Sequence, residues 1–88
     1  MAVKAIKFYA TWCGPCKAYS KVWDKVAEEI GDKAEFLEID VDKDTTGLAA
    51  EHRVMSIPTT VVINSDTDKV TKEVGLLGEQ QLKELILF

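Results

Sequence analysis

Cys13 and Cys16 are the two cysteines of the chain, with Gly14 and Pro15 between them, Trp12 in front and Lys17 behind. A Cys-x-x-Cys pair can be half of a zinc site, a redox couple, or an incidental spacing. Zinc needs about four ligands, and His52 is the one other strong ligand the chain offers, so redox chemistry fits better. Cys13 is expected where a strand ends, and Cys16 in the first turn of the helix that follows. Unpaired backbone N–H groups and the positive end of the helix dipole favour an anion there, so the Cys13 thiol should ionise more readily than a free one. Gly14 lets the backbone turn tightly. Pro15 suits the first helical turn, because its φ is already helical and its missing N–H would be unpaired in any case. Together they hold Cys16 close enough to resolve a mixed disulfide formed by Cys13, a two-step exchange with Cys13 as nucleophile.

The elements that must position this pair follow from hydrophobic period and turn chemistry. Val3 to Ala10, apolar, β-branched and aromatic, reads as a strand inside the sheet. From Pro15 onward Tyr19, Val22, Trp23, Val26, Ala27 and Ile30 recur at helical spacing, and Gly31 stops the helix. Glu35 to Asp40 is a second strand. Asp44 then serves as N-cap of a short helix running to His52 and Arg53. Thr59 to Asn64 is a third strand, joined by the turn-forming residues 64–68 to a fourth, Lys69 to Val74, whose charges suit an edge. Gly75 ends it, and Gly78 to Phe88 brings Leu82, Leu85 and Ile86 to one side of a last helix. The order βαβαββα predicts an α/β fold: a mixed four-stranded sheet with helices on both faces, the first two strands parallel and the last two antiparallel.

A chain of 88 residues, 47% hydrophobic and 30% charged, is expected to form one domain, residues 1–88, of ordinary globular type. A domain this small buries about 60–65% of the surface that its unfolded chain exposes. The net charge of -4 argues against nucleic acid and anionic membrane as partners. Lys17, Lys21 and Lys25 share their side of the helix with Asp24, Glu28 and Glu29, as a solvated face does. No stretch is long and apolar enough to span a bilayer, and the N-terminal apolar run is too brief for an export signal. The expectation is a cytoplasmic monomer, a compartment where a cysteine pair is more often catalytic or metal-binding than a structural staple.

The stretch from Trp12 to Lys17 resembles the active site of the thioredoxin family. The resemblance extends over nearly the whole chain, through LEIDVDKD after the first helix, SIPTTVVI, and VGLLGEQQLKELI at the end. It implies the thioredoxin fold and reduction of protein disulfides by dithiol-disulfide exchange. It also implies disulfide-containing protein substrates, recycling by an NADPH-dependent thioredoxin reductase, and no bound cofactor or metal. A cis Ile57–Pro58 bond beside the cysteines is implied too, with Ile57 backbone groups pairing with an extended substrate. So is a substrate-binding rim of Trp12, Gly14, Pro15, Ile57, Pro58, Gly75 and Leu76. The competing readings are a glutaredoxin-like protein recycled by glutathione, suggested by the short chain but opposed by Gly14-Pro15, and a non-catalytic binding subunit of a larger assembly.

Two departures stand out. Fuller members of the family carry a further strand and helix before the position of Val3. The family's buried aspartate, which helps the second cysteine lose its proton, is replaced by Lys7, and Phe36 stands in place of the lysine near that aspartate. A charged Lys7 near the pair would favour thiolates and make the disulfide a stronger oxidant. A buried neutral Lys7 could accept a proton itself. Alternatively it snorkels away, or pairs with Glu38, and leaves the cysteines alone. Asp40, Asp42, Asp44 and Glu51 match positions of a calcium loop, but Thr45 stands where the turn needs glycine and no helix precedes Asp40. His52 is expected on a helix surface.

Overall fold

The computed structural model describes residues 2–88. In chain order its elements are β1 (Val3–Tyr9), α1 (Gly14–Ile30), β2 (Glu35–Asp40), α2 (Leu48–Glu51), β3 (Thr59–Asn64), β4 (Lys69–Val74) and α3 (Glu79–Leu87). Ala5, Ile6, Lys7 and Phe8 are all buried, as a strand covered on both faces must be. The sheet order β2-β1-β3-β4 places β1 inside and β4 at an edge, where five of its six residues are exposed. β1 and β2 run parallel, joined by the α1 crossover, and β3 is antiparallel to both β1 and β4.

Alternation along β1 sends its side chains to two cores. Ala5 packs with Tyr19, Trp23 and Val26 of α1 and with Leu82 and Ile86 of α3. Ile6 and Phe8 face the other way, against Ile39, Val61, and the Leu48, Ala49 and Val54 that flank or form α2. Spacings of four and three residues put Tyr19, Trp23 and Val26 on one helical stripe. Trp23 is the largest fully buried side chain and meets the Phe36 ring edge-on, centroids 5.4 Å apart.

α1 ends at Ile30 with Gly31 as its C-cap, as expected, in right-handed conformation at φ -61. Two expectations are corrected. The residue before α2 is Gly47, at φ +77, which a side chain would resist, so Asp44 is not its N-cap. The Asp44 carboxylate organises the preceding turn instead, accepting from the backbone N–H groups of Thr46, Gly47 and Ala49 and from the Thr46 hydroxyl. The hydroxyl contributes most, and together these donors hold the Asp44 carboxyl below its usual range. His52 is not a surface residue either: it is half-buried and tucked toward Phe8, ring centroids 6.3 Å apart, with Nε2 enclosed, without a hydrogen bond, and 3.5 Å from the Glu51 carboxylate. α2 is a single turn and His52 lies just past its end, where the chain turns it toward the Phe8 ring.

Candidate active site

Cys13 has extended backbone angles, φ -85 and ψ 112, and is the N-cap of α1. Its Sγ accepts the N–H of Cys16 at 3.2 Å, so an unpaired donor of the helix terminus is aimed at the sulfur. Cys13 and Cys16 are joined as a disulfide with their Cα atoms 5.2 Å apart. Pro15 lies in the first turn. Both cysteines are buried, Cys13 at 5% exposure and Cys16 at 2%, which leaves Cys13 the more accessible to an attacking or leaving sulfur.

The Ile57–Pro58 bond is cis, and Cys13 Sγ lies 3.9 Å from the Ile57 carbonyl oxygen. Gly75, at φ +97, donates its N–H to the Pro58 carbonyl at 2.8 Å, which ties the end of β4 to this loop. Trp12 is 68% exposed, Leu76, Gly14 and Pro15 are exposed, and Ile57 and Gly75 are half-buried. Pro58 is fully buried, so its ring lies beneath the rim instead of forming its surface. The indole of Trp12 donates to the Asp42 carboxylate at 2.7 Å, which fixes the ring beside the disulfide.

Lys7 is 1% exposed. Its Nζ lies 2.7 Å from the Glu38 carboxylate, the neighbour across the β1–β2 register, and donates to Ser20 Oγ at 3.0 Å. The Tyr9 and Trp23 rings flank it, with centroids 5.4 and 5.7 Å from Nζ. Lys7 thus stays buried and paired with Glu38 and does not snorkel to solvent. Ser20 follows Cys16 by one helical turn, which puts neighbouring Cβ atoms about 5–6 Å apart, so the paired ammonium sits below the redox couple without touching it.

Sequence reasoning missed the Trp12–Asp42 and Lys7–Ser20 bonds and a groove beside the disulfide. The groove is walled by Trp12 and Ile57 together with Val41, Ala50, Val54 and Met55. A signal was present: Val54 and Met55 are apolar, yet belong to no strand or helical stripe. Another buried contact, Tyr19 hydroxyl to Thr60 Oγ1 at 2.7 Å, locks α1 to β3. Burial pushes the Tyr19 phenol up to about 12, against the smaller opposing effect of the Thr60 bond. Among the described residues no cluster of three or more His, Cys, Asp or Glu side chains is arranged to hold a metal ion.

Two sulfurs within bonding distance, one seated on a helix terminus and opening toward an uncharged rim, are built for sulfur exchange; fold and site together define a thiol-disulfide oxidoreductase. The family model for thioredoxin matches residues 2–87. Thioredoxin of Staphylococcus epidermidis is 42% identical over 84 residues, covering 96% of this chain and 79% of that one. Thioredoxin of Staphylococcus aureus is 40% identical over the same coverage. Among solved structures, a mutant thioredoxin from Halobacterium salinarum superposes with a TM-score of 0.83 at 38% identity, covering 97% of this chain and 72% of that one. Chloroplastic thioredoxin z gives 0.85 at 31%, covering 97% and 75%. The chain belongs to the thioredoxin family. Membership implies disulfide-containing proteins as substrates and a reductase as electron donor. No helix among the described residues is long and apolar enough to cross a membrane.

Proposed function

We propose that residues 1–88 act as one domain and a monomer that reduces protein disulfides in the cytoplasm, with Cys13 as nucleophile and Cys16 as resolving thiol. The observation that supports this assignment is the Cys16 N–H aimed at Cys13 Sγ from the first turn of α1. In the reduced protein the same donor and the helix dipole favour a thiolate at Cys13. That thiolate attacks one sulfur of the substrate disulfide, the other substrate sulfur leaves as a thiolate, and a mixed disulfide forms. Cys16, as its own thiolate, then attacks Cys13 Sγ; the Cys13–Cys16 bond closes and the substrate sulfur held by Cys13 departs as a thiolate. Two electrons pass to the substrate, and an NADPH-dependent thioredoxin reductase returns them.

Trp12, Gly14, Pro15, Ile57, Gly75 and Leu76 form the surface on which the substrate segment lies, and Pro58 holds Ile57 in place beneath it. Lys7 acts on the couple from below through its charge. The test is a coupled assay with a protein disulfide and either NADPH plus thioredoxin reductase or glutathione as donor. Turnover with the reductase is expected, with Cys16→Ser accumulating a mixed disulfide and Cys13→Ser forming none. Trapping by Cys13→Ser in place of Cys16→Ser would reverse the assigned roles, and turnover with glutathione alone would replace the donor.

A further inference from the structure

The groove beside Cys13 has a volume of about 790 Å³ and one charged wall residue, Arg53. The Arg53 backbone is anchored: its N–H donates to the Ala50 carbonyl at 3.1 Å, and its own carbonyl accepts from Lys72 Nζ at 3.4 Å. The guanidinium, by contrast, enters no ion pair or hydrogen bond among the described residues. Glu51, two residues away in sequence, lies 3.5 Å from His52 Nε2, Asp44 is taken up by its own turn, and Asp42 holds the Trp12 indole. A chain of net charge -4 thus lines an apolar groove beside its reacting sulfur with a cation unpaired among the described residues.

We propose that this groove selects disulfide substrates in which an apolar residue and an acidic residue lie beside the reacting cysteine, with Arg53 reading the carboxylate. The inference rests on the assignment of Cys13 as the sulfur that meets substrate. The groove is continuous with that site through Ile57 and Trp12, so an extended segment delivered to Cys13 runs along it. Arg53 precedes Ile57 by four residues, a span of at most about 14 Å at 3.6 Å each. An extended substrate covers the same distance in about four residues, which places the carboxylate within that reach of its cysteine. Met55, 93% exposed, offers a flexible thioether that adapts to many apolar shapes. Charge is therefore the property that the groove discriminates. Selection acts at contact range, because the overall field of the chain repels acidic partners and is screened within about 8 Å at physiological salt.

Two model peptides, each closed by an internal disulfide with leucine beside one cysteine, differ by Glu or Lys two residues before it. Each is mixed with the reduced protein in single turnover, quenched with acid, and the released dithiol peptide is counted. The wild type should reduce the Glu peptide about two- to fivefold faster than the Lys peptide at low salt, the range of an exposed charge pair, and the ratio should shrink as salt rises. Arg53→Gln should bring the ratio near one, and Arg53→Glu should invert it. Each ratio is taken within one protein, so a loss of folded fraction cancels. A ratio unchanged by Arg53→Glu overturns the role of Arg53 alone. Failure of the wild type to reduce either peptide overturns the redox assignment beneath it.

Discussion

Lys7 and Glu38 carry opposite charges at unequal distances from the cysteine pair, so removing either one should move the reduction potential in opposite directions. Lys7 Nζ is 3.0 Å from Ser20 Oγ, and Ser20 lies one helical turn from Cys16, which together place the ammonium roughly 10 Å from the sulfurs. At an effective dielectric of about 20, a unit charge at that distance stabilises a thiolate by about 1.7 kcal/mol. Glu38, 2.7 Å further along the ion pair, opposes it by about 1.3 kcal/mol before solvent is considered. Glu38 is 49% exposed, which screens its share to roughly half. Lys7→Met keeps the shape of the buried stem and should make the protein more reducing by about 35 mV, since 1.4 kcal/mol corresponds to about 30 mV for a two-electron couple. Glu38→Gln should make it more oxidising by about 15 mV, and the double variant should fall between. The measurement is equilibration with glutathione redox buffers at a pH where the reduced form carries a thiolate, followed by alkylation and counting of free thiols. Shifts of the same sign from both single variants, or none from Lys7→Met, would refute electrostatic control of the couple by this pair.

Tyr19→Phe leaves the Thr60 hydroxyl buried without its partner and should cost about 1–3 kcal/mol in urea unfolding, much of it recovered when Thr60→Val is added. Because the folded-state phenol is raised to about 12, its contribution is complete below pH 10 and lost as pH climbs toward 12; Tyr19→Phe should remove that alkaline loss. The Asp44 carboxyl is shifted the other way, so its contribution is present above about pH 4 and disappears as pH falls through the lowered folded value. Asp44→Asn should therefore melt earlier than wild type at neutral pH, with the two melting curves converging in acid. Trp23→Ala, which empties the junction of α1, α3 and β2, should cost about 3–5 kcal/mol by urea unfolding, a large share of a small domain's stability.

Much of this molecule was legible in local pattern. The run from Val3 to Ala10 announced a central strand, found as Val3–Tyr9, the three- and four-residue spacing of Tyr19, Trp23 and Val26 announced α1, and Cys-Gly-Pro-Cys marked the chemistry where strand meets helix. These signals survive in a sequence because side-chain direction repeats every 2 or 3.6 residues whatever the rest of the chain does. His52 and Asp44 misled, since α2 is a single turn and so short a helix takes its orientation from its neighbours. The cis bond before Pro58 was legible by resemblance alone, because most such bonds are trans.

The sequence by itself thus determined the elements, their order and the redox pair. Tertiary structure alone decided what surrounds that pair. Lys7 meets Ser20 and Glu38 because β1 lies between α1 and β2, and Trp12 finds Asp42 across thirty residues of chain. The groove gathers Val41 from the loop after β2 and Met55 and Ile57 from the loop before β3 around Trp12. Such contacts join segments whose spacing along the chain carries no period, so they come into being only when the sheet closes and brings those segments to one edge.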